Sequence, residues 1–124
     1  MKKYISYLAS ILMPKNSVVK TDSFKDATDA YNKNNYVKAI ELFRPLATEG
    51  NAAAQWHLGW MYKNGEGVMQ DYKEAALWYQ KAADQGDANS QFNLGLMYSA
   101  GDGVTQDYKE VVKWYRKAGD QGDL

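Results

Sequence analysis

A period of 36 residues constrains this chain more than any other feature. Shifted by that interval, Ala52-Ala53-Ala54-Gln55-Trp56-His57-Leu58-Gly59-Trp60-Met61-Tyr62 falls on Ala88-Asn89-Ser90-Gln91-Phe92-Asn93-Leu94-Gly95-Leu96-Met97-Tyr98. The register continues without a gap through the two glycine loops, Gly65-Glu66-Gly67-Val68 and Gly101-Asp102-Gly103-Val104. It then runs through Trp78-Tyr79-Gln80-Lys81-Ala82 and Trp114-Tyr115-Arg116-Lys117-Ala118. Backwards, Tyr36, Ala39, Phe43 and Ala47 match Tyr72, Ala75, Tyr79 and Ala83. A repeat of this length is one supersecondary unit that cannot bury its apolar faces alone, so neighbouring units must stack.

Each unit reads as two helices joined by a glycine loop. Gln55, Leu58, Gly59 and Tyr62 recur at helical spacing and define one face of a first helix. Gly59 and Gly95 lie inside that face, where glycine costs about 1 kcal/mol against alanine, so close approach of a partner helix is expected there. Gly65 and Gly67 end the helix. Asp71-Tyr72-Lys73-Glu74 and Asp107-Tyr108-Lys109-Glu110 have the form of a capping box. The second helix buries Ala75, Tyr79 and Ala82, with Val111, Tyr115 and Ala118 equivalent, and stops at Gly86 or Gly122.

Residue by residue, 52–87 and 88–123 resemble the Sel-one-like repeat, a subgroup of the tetratricopeptide superfamily, through A-x-x-Q-x-x-L-G-x-M-Y, G-x-G-V, Q-D-Y-x-x-A, W-Y-x-K-A-A and Q-G-D. Residues 23–51 look like a divergent tetratricopeptide hairpin with a shorter loop. The resemblance implies an all-α fold, an α-solenoid of stacked antiparallel helix hairpins, that presents a concave face to a protein or peptide. It also implies a non-enzymatic adaptor, often bacterial and exported. In the last unit, Val111 and Val112 replace Ala75 and Ala76, and Gly119 replaces Ala83, changes that weaken the helix and add bulk.

Differences between the two units separate scaffold from binding positions. Gly59, Gly95, Tyr62, Tyr98, Ala75, Tyr79 and Tyr115 are expected to be structural. On a helical wheel, positions 53, 56, 60, 63 and 64 lie opposite the Leu58 face, with 57 at its margin. Trp60 and Leu96 are therefore the expected apolar anchors for a partner, ringed by His57, Asn93, Lys63 and Asn64. Trp56 and Phe92, aromatic in both copies, are expected to pack between neighbouring repeats.

Composition narrows the chemistry. Fifteen Lys and Arg balance fifteen Asp and Glu, which leaves no cationic excess for nucleic acid. With one His and no Cys, neither a cofactor nor a metal site is expected. The rival reading, which the resemblance implies for some bacterial members, is an envelope enzyme of β-lactam or peptidoglycan chemistry; Ser17-Val18-Val19-Lys20 spells S-x-x-K, but S-D-N and K-T-G do not accompany that motif.

The ends carry two further expectations. Residues 1–22 form an extension with the outline of a signal peptide: Lys2 and Lys3, then an apolar stretch to Pro14, without a small-x-small cleavage site. Periplasmic or secreted protein follows from that outline, cytoplasmic protein from its absence. No apolar run reaches the ~20 residues of a membrane span. Segment 88–124 ends one residue into a further unit, so the helix face around Val111, Tyr115 and Ala118 is expected to lack cover and to self-associate, or to belong to a longer array.

Overall fold

The computed structural model describes residues 23–122, which form six helices and no strand. They are α1 (23–32), α2 (Tyr36–Thr48), α3 (Ala52–Asn64), α4 (Tyr72–Asp84), α5 (Ala88–Ala100) and α6 (Tyr108–Asp120). The extension over 1–22, its Ser17-x-x-Lys20 motif and Leu124 lie outside the described residues. From α2 to α6, consecutive helices pack in chain order, as in an α-solenoid of helix hairpins.

Local chemistry fixes each helix end. Asn51 and Asp87 accept from the amides of Ala54 and Ser90 and cap α3 and α5. Gly65 and Gly101, at φ of 67° and 75°, end those helices in the left-handed region. Gln70 and Gln106 then donate to the carbonyls of Lys63 and Ser99, and the next residues, Asp71 and Asp107, cap α4 and α6. The Gln-Asp pair thus closes one helix and opens the next. Only half of the expected capping box forms, because the Asp71 and Asp107 amides donate to the Tyr62 and Tyr98 carbonyls instead of to a glutamate. Glu110 is accordingly released to accept from Trp114 Nε1 at 3.3 Å.

Packing builds one cluster at each junction between repeats. The first gathers Ala39, Ile40, Phe43 and Ala47 of α2 against Ala54, Leu58 and Met61 of α3. The second gathers Ala75, Ala76, Tyr79 and Ala83 of α4 against Leu94 and Met97 of α5, with Trp114. Each fully buried leucine or aromatic in these clusters is worth about 1.5–3 kcal/mol relative to exposure. Within a hairpin the close approach is aromatic on glycine. A Cβ on Gly59 would stand 2.6 Å from the Tyr79 ring, and one on Gly95 the same distance from Tyr115. Between hairpins it is loop on helix: a Cβ on Gly67 would stand 2.5 Å from the Tyr36 carbonyl oxygen, and Gly103 meets the Tyr72 carbonyl in the same way.

A glutamine relay ties the levels together. Gln55 Nε2 donates to the Ala47 carbonyl at 3.1 Å and its Oε1 accepts from Gln85 at 2.8 Å. Gln91 repeats both bonds with Ala83 and Gln121, at 3.1 Å and 2.8 Å. Both glutamines are buried, so each satisfies a carbonyl near a helix end that water cannot reach.

Of the α6 residues expected to lack cover, one differs from expectation. Val111 and Tyr115 are half-buried, but Ala118 is fully buried, as is its counterpart Ala82. On the wheel, position 118 lies about 60° from Tyr115, on the side turned away from Val112 and Arg116.

Candidate protein-binding surface

The C-terminal half of α3 brings Trp60, Lys63 and Asn64 together. The Trp60 ring stacks on Trp56 with centroids 5.7 Å apart and 26° between planes. Lys63 Nζ sits 5.6 Å from the Trp60 ring centroid, a cation held over an aromatic face. Asn64 Nδ2 donates to the Trp60 carbonyl at 2.9 Å and closes the last turn. Trp60 and Lys63 are half-buried and Asn64 is exposed. On α5 the counterpart Leu96 is 39% exposed, with Asn93 half-buried beside it. Trp56 packs against the cluster of the second junction, whereas Phe92 stacks on Tyr115 of its own hairpin at 5.4 Å.

His57 is half-buried and packs against the leading hairpin. Its ring stacks on Phe43 at 4.3 Å and 12°, and Phe24, Tyr31 and Trp56 meet it at 6.3, 5.9 and 4.9 Å. The leading hairpin supplies three of those four rings, so a position at the margin of the wheel is packed on one side and half-buried. Burial lowers the pKa of His57, against a smaller upward pull from the Asp87 carboxylate. The imidazole is therefore neutral at neutral pH and acts as an aromatic wedge.

Two residues beside this wedge escaped sequence reasoning. Tyr31 donates its hydroxyl to Glu66 Oε1 at 2.9 Å. Burial, and then the Glu66 bond, push the Tyr31 pKa up to about 12, so it remains a donor at any ordinary pH. Its hairpin has the shorter loop, and a shift of 36 residues cannot place it. Nearby, Trp56 Nε1, His57 Nδ1 and Tyr79 OH are buried without a hydrogen-bond partner among the described residues. Each such atom costs about 1–3 kcal/mol.

The remaining named positions are scaffold in their contacts. Tyr62 accepts from Arg44 Nη1 at 3.0 Å and packs against both clusters, and Tyr98 packs against the second. Tyr79 and Ala75 are fully buried. No group of three or more His, Asp or Glu among the described residues could hold a metal ion. No described helix is long and apolar enough to cross a membrane.

A family model of the Sel1 repeat matches residues 31–51, 52–87 and 88–123. The chain belongs to the Sel1 repeat family. A Sel1 repeat protein from Oxalobacter formigenes superposes with a TM-score of 0.76 and 43% identity, over 80% of this chain and 40% of that one. A protective antigen of uropathogenic Escherichia coli displaying an SLR fold gives 0.69 and 48% identity, over 70% of this chain and 19% of that one. The HRD3 component of the ERAD-associated E3 ubiquitin-protein ligase of Candida glabrata is 38% identical over 60 residues, 48% of this chain and 7% of that protein. The chain thus spans less than half the length of each. Sel1 repeat proteins are typically protein-interaction adaptors.

Proposed function

We propose that this chain is a non-enzymatic scaffold that binds a protein or peptide segment on the face shared by α3 and α5. Trp60 and Leu96 are the apolar anchors, with Lys63, Asn64 and Asn93 as polar surround. His57 serves from beneath, holding Trp56 and through it Trp60. The observation that carries this reading is the Trp56–Trp60 stack under Lys63, a rigid aromatic platform left half-open to solvent. Large aromatics that lose little entropy on binding are the usual hot-spot residues. The basic and apolar outline of residues 1–22 supports an exported protein, periplasmic or secreted.

The test compares partners captured by the parent, by Trp60→Ala and by Leu77→Ala, which truncates an exposed leucine of α4. Capture is expected to fall with Trp60→Ala alone, while circular dichroism melts stay close to the parent. A Trp60→Ala protein that melts well below the parent yet still captures the same partner places Trp60 in the core and ends the proposal.

A further inference from the structure

One side of α4 and α6 carries lysines in register. Lys109, Lys113 and Lys117 recur every fourth residue and share one exposed face of α6, about 12 Å long. At the equivalent positions α4 presents Lys73, Leu77 and Lys81, all exposed although α5 covers Ala75, Ala76 and Ala83 on another side of that helix. The face is thus open in a repeat whose neighbour is in place. In α2 the same positions are Val37, Glu41 and Pro45, which carry no cation. Tryptophan fixes the α6 row against α4. Trp114 is 2% exposed within the cluster of α4 residues, and Lys113 and Lys117 Nζ stand 4.5 and 5.1 Å from its ring centroid. Like charges at this spacing repel, and only Lys113 has a carboxylate, Glu110 Oε1 at 3.1 Å. Lys73, Lys81, Lys109 and Lys117 have none among the described residues. Acids that could answer them are engaged elsewhere: Asp71, Asp87 and Asp107 cap helices, Asp84 accepts from Gln80 and Glu66 from Tyr31. Zero net charge therefore hides a face of unpaired cations.

We propose that this face docks an extended acidic segment of another protein, as a second interaction surface apart from the one on α3 and α5. Alternate residues of an extended chain lie about 6.6 Å apart, close to the rise of about 6 Å between lysines four apart on a helix. Carboxylates at alternate positions can therefore meet Lys109, Lys113 and Lys117 in turn, with Lys73 and Lys81 flanking. The α6 row offers no apolar strip on which a partner helix could pack, so the occupant is extended. Each row ends at an exposed aspartate, Asp84 or Asp120. A peptide answers that reversal of charge with a neutral or basic residue, whereas a phospholipid surface or a nucleic acid is negative throughout and is repelled there. The two lysines over Trp114 hold their ammonium groups close together before binding, which lowers the ordering cost.

The probe is an end-blocked peptide, Ser-Glu-Ser-Glu-Ser-Glu-Ser-Lys, titrated into the isotopically labelled full chain at low salt. Chemical shifts are expected to move at Lys81, Lys109, Lys113 and Lys117, and affinity to fall as salt is raised. Lys109→Gln, which touches no ring, and Lys117→Gln each weaken binding about two- to fivefold, the measure of one exposed ion pair. Leu77→Lys completes the α4 row and strengthens binding by a similar factor. Glutamine in place of the peptide's glutamates abolishes it. Four results overturn the proposal. They are no shifts at millimolar peptide, an affinity unchanged when Lys109→Gln and Lys117→Gln are combined, and shifts confined to Trp60, Lys63 and Asn93. The fourth is tighter binding, at the same lysines, of phosphatidylserine vesicles or of an oligonucleotide whose charge matches the peptide's.

Discussion

Helices α4 and α6 begin alike, Tyr-Lys-Glu-Ala-Ala-Leu-Trp-Tyr against Tyr-Lys-Glu-Val-Val-Lys-Trp-Tyr, with the same aspartate cap, yet they live in different surroundings. α4 buries Ala75, Ala76, Tyr79, Ala82 and Ala83; α6 buries only Trp114 and Ala118. The caps and glycine contacts that shape each hairpin are the same in both. What differs is the cover that α5 gives α4. Hairpin shape is thus a local property of the sequence, and burial of the outward face is a property of the neighbour.

Paired substitutions sharpen that contrast. The largest gap is expected between the two tyrosines: Tyr79→Ala loses about 3–5 kcal/mol of unfolding free energy, as a buried aromatic does. Tyr115→Ala, half-exposed, loses about 1–2 kcal/mol in the same urea titration. Equal losses would mean that Tyr115 is covered in solution.

The glycines come next. Gly59→Ala forces a methyl onto a fully enclosed ring, which costs about 1–3 kcal/mol and outweighs the helix propensity that alanine gains. Gly95→Ala meets a ring that can swing toward solvent, so the same methyl is expected to be close to neutral. A severe loss from Gly95→Ala would break the contrast, since it requires Tyr115 to be pinned.

The smallest effect is one of pH. His57 has a lowered pKa in the fold, so the unfolded chain binds the proton more tightly. Its contribution to stability is full above the unfolded pKa near 6.5 and is lost as pH falls below that value toward the folded pKa. His57→Asn, which installs the residue of the next repeat, should flatten the difference in melting temperature between pH 7.5 and 5.5. An unchanged slope would show that the imidazole is not enclosed.

Much of this architecture is legible in the sequence, because the 36-residue period repeats every cap and glycine contact. The proposed binding surface is legible only in part. Trp60, Lys63 and Asn64 share a face that a helical wheel displays, so they stand together as expected. His57 sits at the margin of that wheel, and its fate depended on Phe43 of α2 and on α1, where the period fails and Phe24 and Tyr31 have no counterpart at the repeat spacing. The Arg44–Tyr62 bond was hidden for a related reason: Gln80 interrupts the series at the one full repeat that would have displayed it.

Native-state hydrogen exchange, amide by amide, tests most directly whether cover by the neighbour separates α4 from α6. The amides of Tyr79, Ala82 and Ala83 are expected to exchange only through global unfolding, and those of Val112, Tyr115 and Arg116 through a cheaper local opening of α6. Equal protection of the two helices, unchanged on dilution, would contradict the account.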